Sequence, residues 1–262
     1  VALIGLIGGS GLYEMPGFKL REERLLSTPY GEPSGAFLIG EVAGAAVAFL
    51  PRHGSPHRIP PDRVNYRANI NGFKELGVER IISISASGGI SPGLRPGDIV
   101  ILDQVIDMVQ GTRASTFYEG DEVVHIDFTE PYCPELRESL LGGDRSAGTG
   151  ARAAGTYICV NGPRLESRAE IRFYGMIGAD VIGMTGMPEA SLARELEICY
   201  AGITVVTNFA AGMAGKKLTT TEVVEKMKES NEKIGRLIIE SLPLIPSLRQ
   251  CPCGEALRDS TM

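Results

Sequence analysis

The sequence has no apolar run near the roughly 20 residues that a membrane-spanning helix needs, so no such helix is expected. It has no block of lysine and arginine and its net charge is −6, which argues against a surface that tracks nucleic-acid phosphates. One local arginine can still outweigh that global sign toward a small anion. Cysteine is scarce, and five in 262 residues do not make a secreted disulfide scaffold. Cys133, Cys159 and Cys199 stand apart along the chain and read as packed thiols. Cys251-Pro252-Cys253 differs: a strained redox-active or structural disulfide and a coincidental pair in a tail both fit, and cytosolic disulfides are common only in hyperthermophiles. A zinc site is not expected there, because no second cysteine or histidine pair accompanies it. Internal repeats are absent, and so is a basic leader. Residues 1–7 are apolar but run straight into Gly8-Gly9-Ser10-Gly11, which reads as a strand rather than a signal peptide, so the cytoplasm is the expected compartment.

What the chain does have is the length and composition of one large α/β domain. At 262 residues, 43% hydrophobic and 22% charged, it can bury a sizeable core, and residues 1–262 read as a single domain with a tail over 243–262. β-branched runs at 2–7, 36–39, 45–50, 80–85, 98–102, 156–160, 181–182 and 203–207 mostly end in turn or glycine-rich chemistry. Helical candidates lie between and after them, at 62–76, 134–141, 167–175, 188–196 and 219–242. In the last, Val223, Val224, Met227, Ile234 and Ile238 fall near one face. This alternation implies a central mixed or mostly parallel sheet flanked by helices. The glycine-, alanine- and serine-rich stretch 142–154 reads as an exposed excursion.

Chemistry gathers where strands end. Ser10 in the first glycine loop offers a hydroxyl and an amide to an anion, although a tight structural turn fits equally. Pro51-Arg52-His53-Gly54-Ser55-Pro56-His57-Arg58 holds two of the three histidines and suits a dianion, with Arg52 binding bidentately and His53 donating a further bond. A solvated basic loop has equal weight there. Ser83-Ile84-Ser85-Ala86-Ser87-Gly88-Gly89 reads as strand to small-residue loop, where bare amides and hydroxyls meet phosphate or a flat base. Thr185, just before a helix opened by Pro188, either caps that helix or joins its amides around an anion. Val205-Val206-Thr207-Asn208-Phe209-Ala210-Ala211-Gly212 delivers one amide side chain at the end of a β-branched run. An amide donates and accepts at once, whereas a carboxylate only accepts until it is protonated. Taken together, these corners point to a phosphate pocket at the sheet's edge. The lysine-bearing loop of a kinase and the carboxylate clusters of a metal phosphatase are both missing.

Gly8-Gly9-Ser10-Gly11, Pro51-Arg52-His53-Gly54, Asn65-Tyr66-Arg67-Ala68-Asn69, Pro96-Gly97-Asp98, Asn161-Gly162-Pro163-Arg164 and Gly183-Met184-Thr185 resemble, in order and over nearly the whole chain, the purine nucleoside phosphorylase and methylthioadenosine phosphorylase family. The resemblance implies that a nucleoside and inorganic phosphate become a free base and a ribose 1-phosphate, with no cofactor or metal and with phosphate as co-substrate. It implies Ser10, Arg52, His53, Ser85, Ala86 and Thr185 around phosphate and Met184 under the ribose. It further implies a homotrimer or homohexamer with sites at subunit interfaces.

The same resemblance bears on the base. Asn208 occupies the family's position against the leaving purine, with Gly88, Phe209 and Ala210 beside it. Methylthioadenosine phosphorylases look to carry two aspartates in this stretch, where this chain has Asn208 and Ala210. Glu166 stands where 6-oxopurine enzymes place a glutamate, although a surface glutamate starting a helix is the plainer role for it alone. Leu165 replaces the family's common stacking phenylalanine. Both votes point to a 6-oxopurine member of the methylthioadenosine phosphorylase subfamily. Thr220 and Val224 correspond to an apolar pocket for a 5′-methylthio group, and His125 resembles a residue reaching in from a neighbouring subunit. Inosine, guanosine and 5′-methylthioinosine are thus candidate substrates. A methylthioadenosine phosphorylase, a nucleoside-binding regulator without catalysis and a nucleotide-dependent oxidoreductase are the alternatives.

Overall fold

A computed structural model describes residues 3–9, 17–111, 113–215 and 219–261. Ser10 therefore lies outside the described residues, as does the side chain of Thr220. The ten strands that pair into one sheet are β1 (Ile4–Gly8), β2 (Lys19–Arg24), β3 (Phe37–Val42), β4 (Ala45–Pro51), β5 (Arg80–Gly89), β6 (Ile99–Ile101), β7 (Gln104–Asp107), β8 (Thr156–Cys159), β9 (Val181–Gly183) and β10 (Cys199–Phe209). The helices are α1 (Tyr66–Glu75), α2 (Pro134–Ala147), α3 (Arg168–Met176), α4 (Gly186–Glu195) and α5 (Thr220–Ser241). No helix among the described residues is long and apolar enough to cross a membrane.

The strand order is β2-β3-β4-β1-β5-β9-β8-β7, with β10 on β5 and β6 on β10. β1, β5 and β10 run parallel at its centre and are buried on both faces, which is why they read as continuous apolar runs without alternation. On one face Tyr66, Ile70 and Phe73 of α1 meet Ala190, Leu192 and Ala193 of α4. On the other, Leu136 and Leu140 of α2 meet Ile234, Leu237 and Ile238 of α5. Single-domain α/β architecture with a mixed sheet follows, as the alternation of runs implied.

Several expectations are corrected. The stretch 142–154 is not an excursion throughout, because α2 continues to Ala147 and ends on Gly148 in the left-handed region at φ 61°. Gly143 is there for helix packing: a Cβ at that position would collide with the Ser241 Oγ. β5 extends to Gly89, so the expected loop at Ser85 to Gly89 is strand. β2, Lys-Leu-Arg-Glu-Glu-Arg, carries no apolar pattern; it is an exposed edge strand whose charges discourage pairing with other chains. Val224 is 65% exposed, so it leaves the apolar face of α5 that Ile234 and Ile238 define. The 243–262 tail is docked: Arg249 donates to the Glu197 carbonyl (2.7 Å), and the Gln250 amide donates to Glu135 (2.7 Å).

Candidate active site

The central sheet divides along β5. On one side β10 accompanies β5 for its whole length; on the other, β1 pairs as far as Ser83 and β9 takes over only at Gly88. Between them β5 lacks a strand partner on that side. Ser85 and Ala86 are the only half-buried residues of an otherwise buried strand, so the gap is where a ligand can meet backbone. Backbone groups without a ladder partner need another. Arg52, at the end of β4, supplies one: Nη1 donates to the Ile84 carbonyl (3.0 Å) and Nη2 to that of Ile7 (3.4 Å).

The rest of the Arg52 fork is also engaged. Nε and Nη2 hold the two Glu189 oxygens at 2.8 and 2.9 Å, and Nη2 reaches the Ser83 hydroxyl at 2.8 Å. The Ser83 and Tyr200 hydroxyls donate to the same Glu189 oxygen at 3.0 and 2.7 Å. Arg52 is 1% exposed and Glu189 0%. Burial opposes the guanidinium charge, and the carboxylate outweighs burial, so Arg52 is held firmly protonated. The expected bidentate grip on a dianion is therefore corrected: the bidentate partner is Glu189. Of five guanidinium N–H groups, one on Nη1 is left for a ligand.

His53 is corrected similarly. Its Nδ1 lies 2.8 Å from the Ile59 carbonyl, which can only accept, so Nδ1 carries the hydrogen and Nε2 of the neutral ring offers a lone pair. Burial, and after it the Arg52 charge, lowers its pKa to about 4. Neutral His53 can thus accept from a protonated ligand atom at Nε2, and it can donate there only after taking up a proton. His57 stacks on it with ring centroids 4.4 Å apart.

Thr185 is buried at the start of α4 and its side chain does not cap the helix, which removes the plainer role. Its amide donates to the Tyr157 hydroxyl (3.3 Å). Met184 beside it fixes the neighbouring loop: Gly162 has φ +64°, and a Cβ there would collide with the Met184 Sδ. The glycine of Asn161-Gly162-Pro163-Arg164 is thereby explained twice, by conformation and by contact.

Asn208 owes its placement to a bulge. The β10 register passes from Val206 opposite Ser87 to Asn208 opposite Gly88, with Thr207 the extra residue. Such insertions re-aim side chains at strand ends. Its Nδ2 donates to the Phe209 carbonyl (2.9 Å) and its Oδ1 lies 2.8 Å from the Thr207 hydroxyl. Because a carbonyl only accepts, the amide orientation is set, leaving one N–H and an oxygen lone pair for a ligand. Phe209 is half-buried and Ala210 buried. Asn208, Phe209 and Ala210 line a cavity of about 480 Å³ whose far wall on α5 is Glu222, Glu225, Lys226 and Glu229. That wall is charged, and exposed Val224 is not among the described residues that line it.

Glu166 lines a different opening of about 180 Å³ with Met108, Val160, Arg164, Glu170 and Tyr174. Val160, Tyr174, Ala210 and Met184 pack in one cluster, so the openings that Asn208 and Glu166 line share a floor. Ser167 caps α3 with Glu170, and Arg164 pairs with Glu170 at 2.7 Å, so Glu166 takes part in neither that cap nor that ion pair. Burial raises its pKa. Leu165 is exposed, and so is His125, whose amide donates to the Ser260 carbonyl (2.9 Å) away from these openings.

Sequence reasoning missed Glu189 and Tyr200, which orient Arg52. The available signal was one carboxylate in an otherwise apolar helix face, Met187-Pro188-Glu189-Ala190. It also missed Arg113, which donates to the Met187 and Asn161 carbonyls at 2.7 and 2.8 Å and lies over the Tyr66 ring at 5.0 Å, and no local pattern marks that residue.

Fold and site together define an α/β domain whose candidate site lies where the central sheet divides. Residues 3–243 match the model of the Phosphorylase superfamily. The chain is 52% identical to the 6-oxopurine nucleoside phosphorylase of Pyrococcus furiosus, over 98% of each chain. It is 53% identical to a probable S-methyl-5′-thioinosine phosphorylase of Thermodesulfovibrio yellowstonii, over 98% of this chain and 97% of that one. Among solved structures, a methylthioadenosine phosphorylase sourced from an antarctic soil metagenomic library superposes with a TM-score of 0.94 at 38% identity, covering 100% of this chain and 93% of the other. The chain belongs to the phosphorylase superfamily.

Proposed function

We propose that this protein is a pentosyltransferase that phosphorolyses 6-oxopurine ribonucleosides, with inosine, guanosine and 5′-methylthioinosine as candidate substrates. The products are a free base and a ribose 1-phosphate or its 5-methylthio counterpart. The observation that carries this reading is the Asn208 amide, held with one N–H and one lone pair free beside apolar Ala210. An amide there donates to a purine oxygen or ring nitrogen as the base departs, and an adjacent carboxylate would oppose that.

Phosphate is the co-substrate and no cofactor is required. It sits in the gap of β5 against the Ser85 and Ala86 backbone, between the remaining Arg52 N–H, His53 and Thr185; Ser10 is assigned to phosphate by the family resemblance alone. Below the sugar it acts as nucleophile and stabilises the oxocarbenium character that develops there. Met184 supports the ribose. Hydrogen bonds from Asn208 strengthen as negative charge moves onto the base, so they lower the barrier rather than merely bind. Gly88, Leu165 and Phe209 flank the base, and Glu166 accepts from the protonated N1 edge that hypoxanthine and guanine have and adenine lacks. By the family resemblance Thr220 and Val224 are assigned to the 5′ end, with His125 entering from a partner chain of a homotrimer or homohexamer. Exposed Leu165, Phe173, Met176, Ile177 and Met213, on and beside α3, support an interface there. The cytoplasm, where purine salvage operates, is the compartment we assign.

Incubation with phosphate and a panel of inosine, guanosine, methylthioinosine and methylthioadenosine tests the reading. Hypoxanthine or guanine release is expected. Adenine release without hypoxanthine release overturns the base assignment.

A further inference from the structure

Away from the cleft, four sulfurs separated in sequence converge. Cys133 precedes α2, Cys199 opens β10, and Cys251 and Cys253 flank Pro252 in the tail. Their Sγ atoms all lie within 4.8 Å of one another, with Cys199 and Cys251 at 3.3 Å. Three are buried and Cys251 is half-buried. Zinc bound tetrahedrally by thiolates at about 2.3 Å has sulfur–sulfur edges of about 3.8 Å, so these four need shift by no more than about 1 Å to form that shell. The expectation of no zinc rested on the lack of a second pair beside Cys251 and Cys253, and folding supplies that pair as Cys133 and Cys199.

Charge around the cluster bears on which state it adopts. Arg80 is 1% exposed and opens β5 directly in register with Cys199, yet its Nε, Nη1 and Nη2 have no hydrogen-bond partner among the described residues. The Glu135 Oε2 stands 4.0 Å from it, likewise without a hydrogen bond. Glu135 follows Cys133 by two residues, and its other oxygen accepts from Gln250, next to Cys251. A second guanidinium, Arg249, lies within hydrogen-bonding reach of Cys199. One carboxylate stands near each guanidinium, Glu135 at 4.0 Å from Arg80 and Glu79 at 3.4 Å from Arg249, and the N–H groups of Arg80 remain free to donate. A divalent ion with four thiolates carries a net charge near −2, and N–H donors to coordinated sulfur are the usual outer shell of such sites.

We propose that Cys133, Cys199, Cys251 and Cys253 form a tetrathiolate site for a soft divalent cation of the zinc class, which fastens the tail to the starts of β10 and α2. Binding exchanges four S–H protons for four metal–sulfur bonds, with no change in oxidation state. The site is structural, since four protein ligands leave no open position for substrate.

The test uses the full chain, purified and kept anaerobic with reductant, then titrated with Zn²⁺ and separately with Co²⁺. The expected results are about one tightly held ion per chain and the visible and charge-transfer bands of tetrahedral cobalt in a sulfur shell. A Cys251→Ser/Cys253→Ser variant loses those bands and exposes the tail to protease. Because that variant can fail to fold, the cobalt spectrum of the parent protein stands as an independent readout. Four reactive thiols with no metal uptake overturn the proposal. So does a reduced, anaerobic sample that takes up no cobalt while its oxidised form has a mass lower by four hydrogens, which assigns the cluster to two disulfides.

Discussion

Glu189→Gln probes the charge pair on which the cleft is built. Glu189 takes two hydrogen bonds from Arg52, one from Ser83 and one from Tyr200, and no part of it reaches solvent. Glutamine preserves the volume and can accept through one oxygen. Its amide nitrogen then faces an Arg52 nitrogen, donor against donor, and the guanidinium charge is left buried with only carbonyls and a hydroxyl around it. Removing one partner of a buried pair typically costs about 3–5 kcal/mol, chiefly the penalty of the orphaned charge. We expect a loss in that range, read from guanidinium unfolding followed by far-UV circular dichroism as a lower midpoint with unchanged slope. An Arg52→Met/Glu189→Leu double variant should recover much of the loss, because it removes both charges. Phosphate should also stabilise Glu189→Gln more than the parent, since a bound anion then replaces the missing carboxylate; ligand at about 100 times its Kd adds about 2.7 kcal/mol. A Glu189→Gln protein within about 1 kcal/mol of the parent would refute the reasoning, for it would mean that the Arg52 charge has another counter-ion.

His53, with its pKa lowered to about 4 by burial and then by Arg52, is neutral in the folded protein while the unfolded ring takes up a proton near pH 6.5. Its contribution is therefore complete above about pH 6.5 and is lost as pH falls toward 4, by up to ~3 kcal/mol; the difference between parent and His53→Asn unfolding midpoints across that window measures it, and parallel curves would contradict it. Gly162→Ala should cost about 1–3 kcal/mol, from a left-handed backbone and a clash with Met184, and should raise KM for nucleoside but not for phosphate; unchanged KM would detach Met184 from the sugar. Among the described residues the Asn208 side chain hydrogen-bonds only Thr207 and Phe209, so Asn208→Ala should lower kcat about 10²- to 10³-fold with a stability change under ~1 kcal/mol, and the reverse pattern would make Asn208 a strand-end clamp. Asn208→Asp with Glu166→Ser should move preference toward 6-amino purines, the new carboxyl being pushed toward its protonated form by the Phe209 carbonyl; an unchanged substrate panel would refute the assigned roles.

The parts of the fold legible in sequence were those buried against a regular partner. The run at 45–50 became β4 (Ala45–Pro51), and 167–175 became α3 (Arg168–Met176), because periodic apolar burial writes itself into composition. β2 was illegible because an exposed edge buries nothing, and the helical glycines of α2 mimicked a loop because their role is contact with Ser241 and Leu244, far along the chain.

Sequence by itself determined the α/β class, the family resemblance and the residue types at each strand end, since these depend on local pattern and on the kind of group present. Only the tertiary structure decided how those groups are used. It turned Arg52 from a free anion grip into half of a buried ion pair, set the His53 tautomer through Ile59, put Asn208 and Glu166 at openings that share a floor and brought Cys133 and Cys199 to Cys251 and Cys253. Each of these depends on residues distant in the chain and adjacent in space, and burial sets what a charge, a ring or a sulfur can do there.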